Sequence, residues 1–251
     1  MRYAAKFLVL GAAAAAVAYI PATRAQDLLT MGVGTTVEGA ARFGNKLVPL
    51  PAGKWELVLS DTDHRGSQKA GNAFLIQKAN GGLSAFLYVR TNLEPESGYG
   101  WKRPAWCQRN NVHHNGSDSN YNKADASCWI VNHRVHTNKI SRFDFLNRMK
   151  AYARENGFTA SVVGNRYWLN DATDYIAVYH FMNPAGYGFP AEHRRAWVRS
   201  AWHPNAVREG TPRHGFVAAV QAFGEKYRAA LRDGLRNRMQ APVPKFAFDP
   251  G

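Results

Sequence analysis

Residues 106–136 read WCQRNNVHHNGSDSNYNKADASCWIVNHRVH and gather the side chains best suited to chemistry. They hold both cysteines of the chain, Cys107 and Cys128, and four of its nine histidines, His113, His114, His133 and His136. Three chemistries compete for them. A thiolate–imidazole zinc site needs close-set ligand pairs such as Cys-x₂-Cys, and here each cysteine stands alone. A calcium loop is suggested by Asp118, Asn120, Asn122 and Asp125, whose first three oxygens fall at alternate positions. The pattern then breaks: the sixth place holds Lys123 in place of the turn glycine, and the twelfth holds Trp129 in place of the bidentate glutamate. Asn and Asp are also ordinary turn residues. A disulfide fits best, because two thiols in an oxidising compartment usually pair and closing a loop of this length stabilises the fold by about 3 kcal/mol. A Cys107–Cys128 bond is therefore expected, with Trp106 and Trp129 packed over it. On a strand His133 and His136 point to opposite faces. The staple would bring the loop beside that strand, so His113, His114 and His133 form the one histidine cluster available to a hydrolase, metal-assisted or not. Glu56, Asp61 and Asp63 near His64 are the other acid–base candidates, with nothing tying them into a site.

A second signal interleaves aromatic and basic residues. YGWKRPAWCQR sets Trp101 among Lys102 and Arg103, and EHRRAWVRSAWH sets Trp197 and Trp202 among Arg194, Arg195 and Arg199. Flat rings beside cations suit anions that also stack, so these eight residues are the candidate binding surface. Trp covered by Arg is also common core packing. The chain contains no Gly-x-Ser-x-Gly, His-Glu-x-x-His, Walker-type or dinucleotide fingerprint. No catalytic residue, cofactor or metal ligand is assigned.

Residues 1–25 have Arg2 and Lys6, an uncharged apolar run from Phe7 to Ile20, then Pro21, and end in Thr23-Arg24-Ala25, with small residues at the two positions a signal peptidase reads. That is the layout of a secretory signal cleaved after Ala25, and the apolar run is short for a membrane span. The expected location is periplasmic or secreted, with no transmembrane segment in the mature chain. The net charge is +14, from 32 basic and 18 acidic residues; without Arg2, Lys6 and Arg24 it is 29 against 18, or +11. A surface so basic favours anionic partners, whether an envelope component, a protein or nucleic acid.

The elements that must position these residues read as follows. Trp55, Leu57 and Leu59 alternate on a strand over residues 54–61; residues 61–72 read as a loop; a hairpin follows, turning at Asn80-Gly81-Gly82. CWIVNHRVH reads as a strand with Cys128, Ile130, Asn132 and Arg134 on one face. A helix capped by Ser141 presents Phe145, Leu146, Met149, Tyr152 and Ala153 and stops at Gly157. Two strands come next, then a short helix at 192–201. A long helix capped by Thr211 repeats Phe216, Val220, Phe223, Tyr227, Leu231 and Leu235 on one face. Residues 26–45 read as an irregular lead-in. The sum predicts an α+β fold: a mainly antiparallel sheet with two or three packed helices and one disulfide-stapled loop. Residues 1–25 are the signal, 26–240 a single domain and 241–251 an extended Pro-rich tail. The function expected is that of an exported, non-enzymatic envelope protein that binds an anionic or protein partner. An exported hydrolase using the 107–136 histidines is the alternative, and an assembly factor docking through the last helix is a third.

Overall fold

The structure is a computed structural model that describes residues 25–249, apart from 66–67, 80, 97–99, 119–121, 138, 194–195 and 240. The secretory-signal expectation falls almost wholly outside the described residues. In chain order the elements are β1 (Gln26–Asp27), β2 (Thr36–Val37), β3 (Ala40–Phe43), β4 (Lys46–Pro49), β5 (Trp55–Arg65), β6 (Gln68–Ala79) and β7 (Gly82–Asn92). Then come β8 (His114–Asn115), β9 (Ala126–Arg134), α1 (Asp144–Glu155), β10 (Val162–Asn170), β11 (Tyr175–Met182) and α2 (Pro212–Leu235). Eight strands form an antiparallel sheet in the order β2-β5-β6-β7-β11-β10-β9-β8, and β1-β3-β4 form a smaller one. Among the described residues no helix is long and apolar enough to cross a membrane.

This corrects the expected fold class. The body is largely β and sandwich-like, with two α-helices, and is not a balanced α+β domain with two or three packed helices. Two misread segments account for the difference. Within the polar stretch, residues 61–65 and 68–72 are the far half of the β5–β6 hairpin, in register from Asp61↔Asn72 to Arg65↔Gln68. Its polar groups are satisfied across the sheet: Arg90 makes a bidentate pair with Asp63 at 2.7 Å, Asn72 donates to Asp61 at 3.2 Å, and Tyr88 Oη donates to Asn72 at 2.9 Å. Composition marks such a run as loop only when its partners are unseen. In the second segment, 192–201, the described residues form no α-helix and hold a 3-10 turn at Trp197–Arg199. The lead-in also contributes β1, β2 and β3, whose edges are short.

One face of the large sheet packs on α2. Its predicted stripe is the buried one, with Phe216, Val220, Tyr227 and Leu231 fully enclosed against Trp55, Leu75, Leu87, Val131, Tyr167 and Val178. Hydrogen bonds fasten the helix at fixed points. Asn165 Nδ2 donates to the Val220 carbonyl at 3.1 Å, Tyr167 Oη to that of Gly224 at 3.1 Å, and Tyr227 Oη to that of Pro49 at 2.8 Å. Thr211 caps α2 by accepting from His214 N–H. The tail reaches the same core, where Val243 and Phe246 are buried.

The opposite face carries α1 over β5, β6 and β7. Phe74, Ile76 and Tyr88 pack there with Phe145, Leu146, Met149 and Tyr152. The expected alternation of Trp55, Leu57 and Leu59 fails after Leu57, because a bulge between Leu57 and Leu59 moves Leu59 to the α1 side. The N-cap of α1 is Phe143, not Ser141; Ser141 Oγ accepts from Phe143 N–H and the Asn147 side chain braces Ser141 instead.

Candidate functional site

Cys107 and Cys128 are bonded, with their Cα atoms 5.7 Å apart. Cys107 sits in a 3-10 turn, Ala105–Gln108, and Cys128 in β9. The loop then folds back as β8, pairing His114 with Val131 and Asn115 with Ile130. Its acidic residues serve α2. Arg228 reaches Asp118 at 2.7 Å, Ser127 Oγ at 2.6 Å and the Gly116 carbonyl at 2.9 Å, and Arg236 faces Asp125 at 3.9 Å. Asn122 closes a local turn onto Ala124 N–H. Asn120 lies outside the described residues. The Asp/Asn run is thus built into the framework. The tryptophans do not both cover the bridge: they flank the sulfurs in sequence but diverge in space. Trp129 turns to the α2 side and donates to Asn165 Oδ1 at 2.7 Å, while Trp106 lies on the α1 side near Tyr179 and Arg166.

That second direction leads to a cleft of about 510 Å³ between α1, the sheet and the segment following β9. Its floor follows from strand register. Tyr88 of β7 lies opposite Tyr179 of β11, Tyr179 opposite Arg166 of β10, and Arg166 opposite Ile130 of β9. The next row runs Phe86, Phe181, Gly164 and Asn132, and Val162 stands opposite Arg134. Residues in one row share a face. The β6–β7 half is therefore aromatic and aliphatic and roofed by α1, and the β10–β9 half carries Arg166 and Arg134.

The cationic half is unbalanced. Among the described residues Arg109, Arg134, Lys139, Lys150 and Arg166 line the cleft, and no Asp or Glu does. Acidic groups elsewhere are engaged: Asp63 on Arg90, Asp61 on Arg148 at 2.6 Å and Glu56 on Lys78 at 2.9 Å, while Glu192, which acts electrostatically on His133, accepts from Ser161, Ser200 and the Ala201 N–H. The Glu56/Asp61/Asp63 candidates are therefore ion-paired residues of the sheet surface. The Arg166 guanidinium carbon stands 4.9 Å from the Tyr179 ring centre and 5.3 Å from that of Trp106, and its Nε is buried without a hydrogen-bond partner. Burial, with Arg134 and Arg109 nearby, pushes its pKa down to about 10, so it keeps its charge at neutral pH while poorly solvated. Burial lowers Arg134 too, although its surface opens into the cleft. Arg109, carried on the stapled loop, lies 5.3 Å from the Trp197 ring centre.

Trp197 forms the wall at this end and is held by imidazoles. His133 stacks on it at 4.9 Å, with Nε2 3.2 Å from its carbonyl; His203 meets it edge-on at 4.5 Å. His113 is 6.3 Å from His133, ring centre to ring centre, and its Nε2 contacts the Trp202 carbonyl at 3.0 Å. His114 leaves the group and packs on Trp129 at 4.6 Å. Burial holds His133 down to about 4, and burial also lowers His113. Among the described residues no group of three or more His, Cys, Asp or Glu is arranged to hold a metal ion.

The expected binding residues scatter. Trp197 lines the cleft. Trp101 is buried against Tyr175, and Trp202 is buried among Phe189 and Phe216. Lys102 and Arg199 are exposed, and Arg103 donates to the Asp118 carbonyl at 3.1 Å. Arg194 and Arg195 lie outside the described residues. Arg134, Arg166 and Tyr179 were not among the expected residues. Their signal was a cation or phenol within a strand, legible for Arg134 in the alternation that set it on one face with Ile130 and Asn132. Comparison with known proteins finds no matching family model, no matching curated protein and no matching solved structure.

Proposed function

We propose that this chain is an exported, non-enzymatic protein of the cell envelope that binds an anionic ligand in the cleft between α1 and the sheet. The observation that carries the reading is the charge imbalance of the lining: among the described residues, five Arg or Lys side chains and no carboxylate. Clustered, partly buried cations cost free energy unless an anion compensates them, and guanidinium groups match carboxylate and phosphate oxygens in pairs. Arg166 lies over the rings of Trp106 and Tyr179 and Arg109 over that of Trp197, the one ring here that belongs to the binding surface expected from the sequence. Export is supported by the layout of residues 1–25 and agrees with the disulfide. A hydrolase would need a base converging with His113 and His133 on the cleft, and among the described residues the lining offers no carboxylate for that role.

The test is binding of the fluorescent anion 8-anilinonaphthalene-1-sulfonate. Affinity should fall with added salt and drop at least tenfold in Arg134→Gln/Arg166→Gln. Equal binding by the variant, in protein that melts normally, would remove the cleft as the anion site.

A further inference from the structure

We infer that the ligand is an amphipathic anion, with a single carboxylate or phosphate head on Arg134 and Arg166 and an apolar chain lying between α1 and β6–β7. This rests on the anion-binding reading and adds the ligand class. The cleft is divided by strand order. Its β9–β10 side presents the two guanidinium groups, and its β6–β7 side presents Phe74, Leu83 and Phe86 beneath Leu146 and Met149 of α1. A small inorganic anion would satisfy the cations and leave the apolar half open to water, and a neutral lipid would fill the apolar half and leave the cations uncompensated. A molecule with both parts satisfies both.

The mouth points the same way. Ile140, which lines the cleft, is 89 % exposed and is one of three large hydrophobic side chains left open among the described residues. An apolar chain longer than the cavity would leave past it. Arg166, a lining residue, keeps a buried Nε with no hydrogen-bond partner, so its guanidinium is not fully satisfied within the protein.

Calorimetric titration of the unaltered protein decides the matter with four probes: laurate, monododecyl phosphate, 1-dodecanol and acetate, each below its micellar concentration. The expected result is that laurate or monododecyl phosphate binds at least tenfold more tightly than both dodecanol and acetate, the better of the two identifying the head group. If acetate comes within tenfold of the better chain anion, the apolar half is not used; the ligand class is overturned while anion binding stands. If dodecanol comes within tenfold, the cations are not read, and both readings fall together. If no probe binds, both also fall. Two variants check the assignment of halves. Arg134→Gln should weaken laurate at least tenfold and leave dodecanol unchanged, whereas Leu146→Ser should weaken both. Laurate binding unaffected by either change, in variants with the wild-type melting point, would place the ligand elsewhere and overturn the inference.

Discussion

Single residues in this protein are decided by what faces them. His180 and His133 illustrate it: both are buried, and the Nδ1 of each has no hydrogen-bond partner. His180 is boxed by Trp55, Phe223 and Tyr227. Burial pushes it down to about 3, and burial with neighbouring imidazoles pushes His133 to about 4. In the unfolded chain each accepts a proton near about 6.5. The unfolded state therefore binds more protons than the folded one across that interval, and stability falls as pH drops from about 6.5 toward these values, by up to about 1.4 kcal/mol per pH unit for each histidine. Thermal melts from about pH 7 to about pH 4 should show the loss, and His180→Phe should flatten it; an unchanged slope in that variant would mean His180 is not a source. Gly224 is a second such case. A Cβ there would stand 2.2 Å from Asn165 Oδ1 and 2.8 Å from the Trp129 ring. Gly224→Ala should cost about 1–3 kcal/mol in urea unfolding, although alanine is the better helix former.

Elements are held in place by a few fastenings, and the stapled loop is the clearest. The disulfide ties the turn bearing Trp106 and Arg109 to β9, and Arg228 of α2 ties the loop's Asp118 from the other side. Replacing both cysteines by serine should lower stability by about 3 kcal/mol, out of the roughly 5–15 kcal/mol typical of a domain. Because Arg109 hangs on that turn, the same change should also weaken anion binding, which dye titration at a temperature where the variant is folded would read. Retained affinity would show that Arg109 keeps its place without the staple. The bond itself was legible from two lone cysteines. The direction of each neighbouring tryptophan was not, because it depends on which face of β9 meets α2.

At the scale of the whole molecule the charge is the dominant fact. With a net charge of +14, association with anions should be fast and salt-sensitive. Cleft binding should weaken steeply between low and physiological salt, whereas Arg134→Gln/Arg166→Gln should flatten that dependence. A slope unchanged in the variant would assign the effect to the general surface. Local patterns in the chain were enough for the cysteine pair, the long amphipathic helix, the Gly-turned hairpin and the excess of basic residues, all set by composition or by neighbours within a few positions. They were not enough for residues 61–65 and 68–72, which are strand because their polar groups find partners on β7 and α1, far along the chain. Nor could they show which cations stay unpaired. Arg90 and Arg228 meet aspartates while Arg134 and Arg166 meet aromatic rings, and that sorting depends on strand order, β7 beside β11 beside β10 beside β9. Strand order is a long-range property: each pairing closes a chain segment whose length and destination no local pattern encodes.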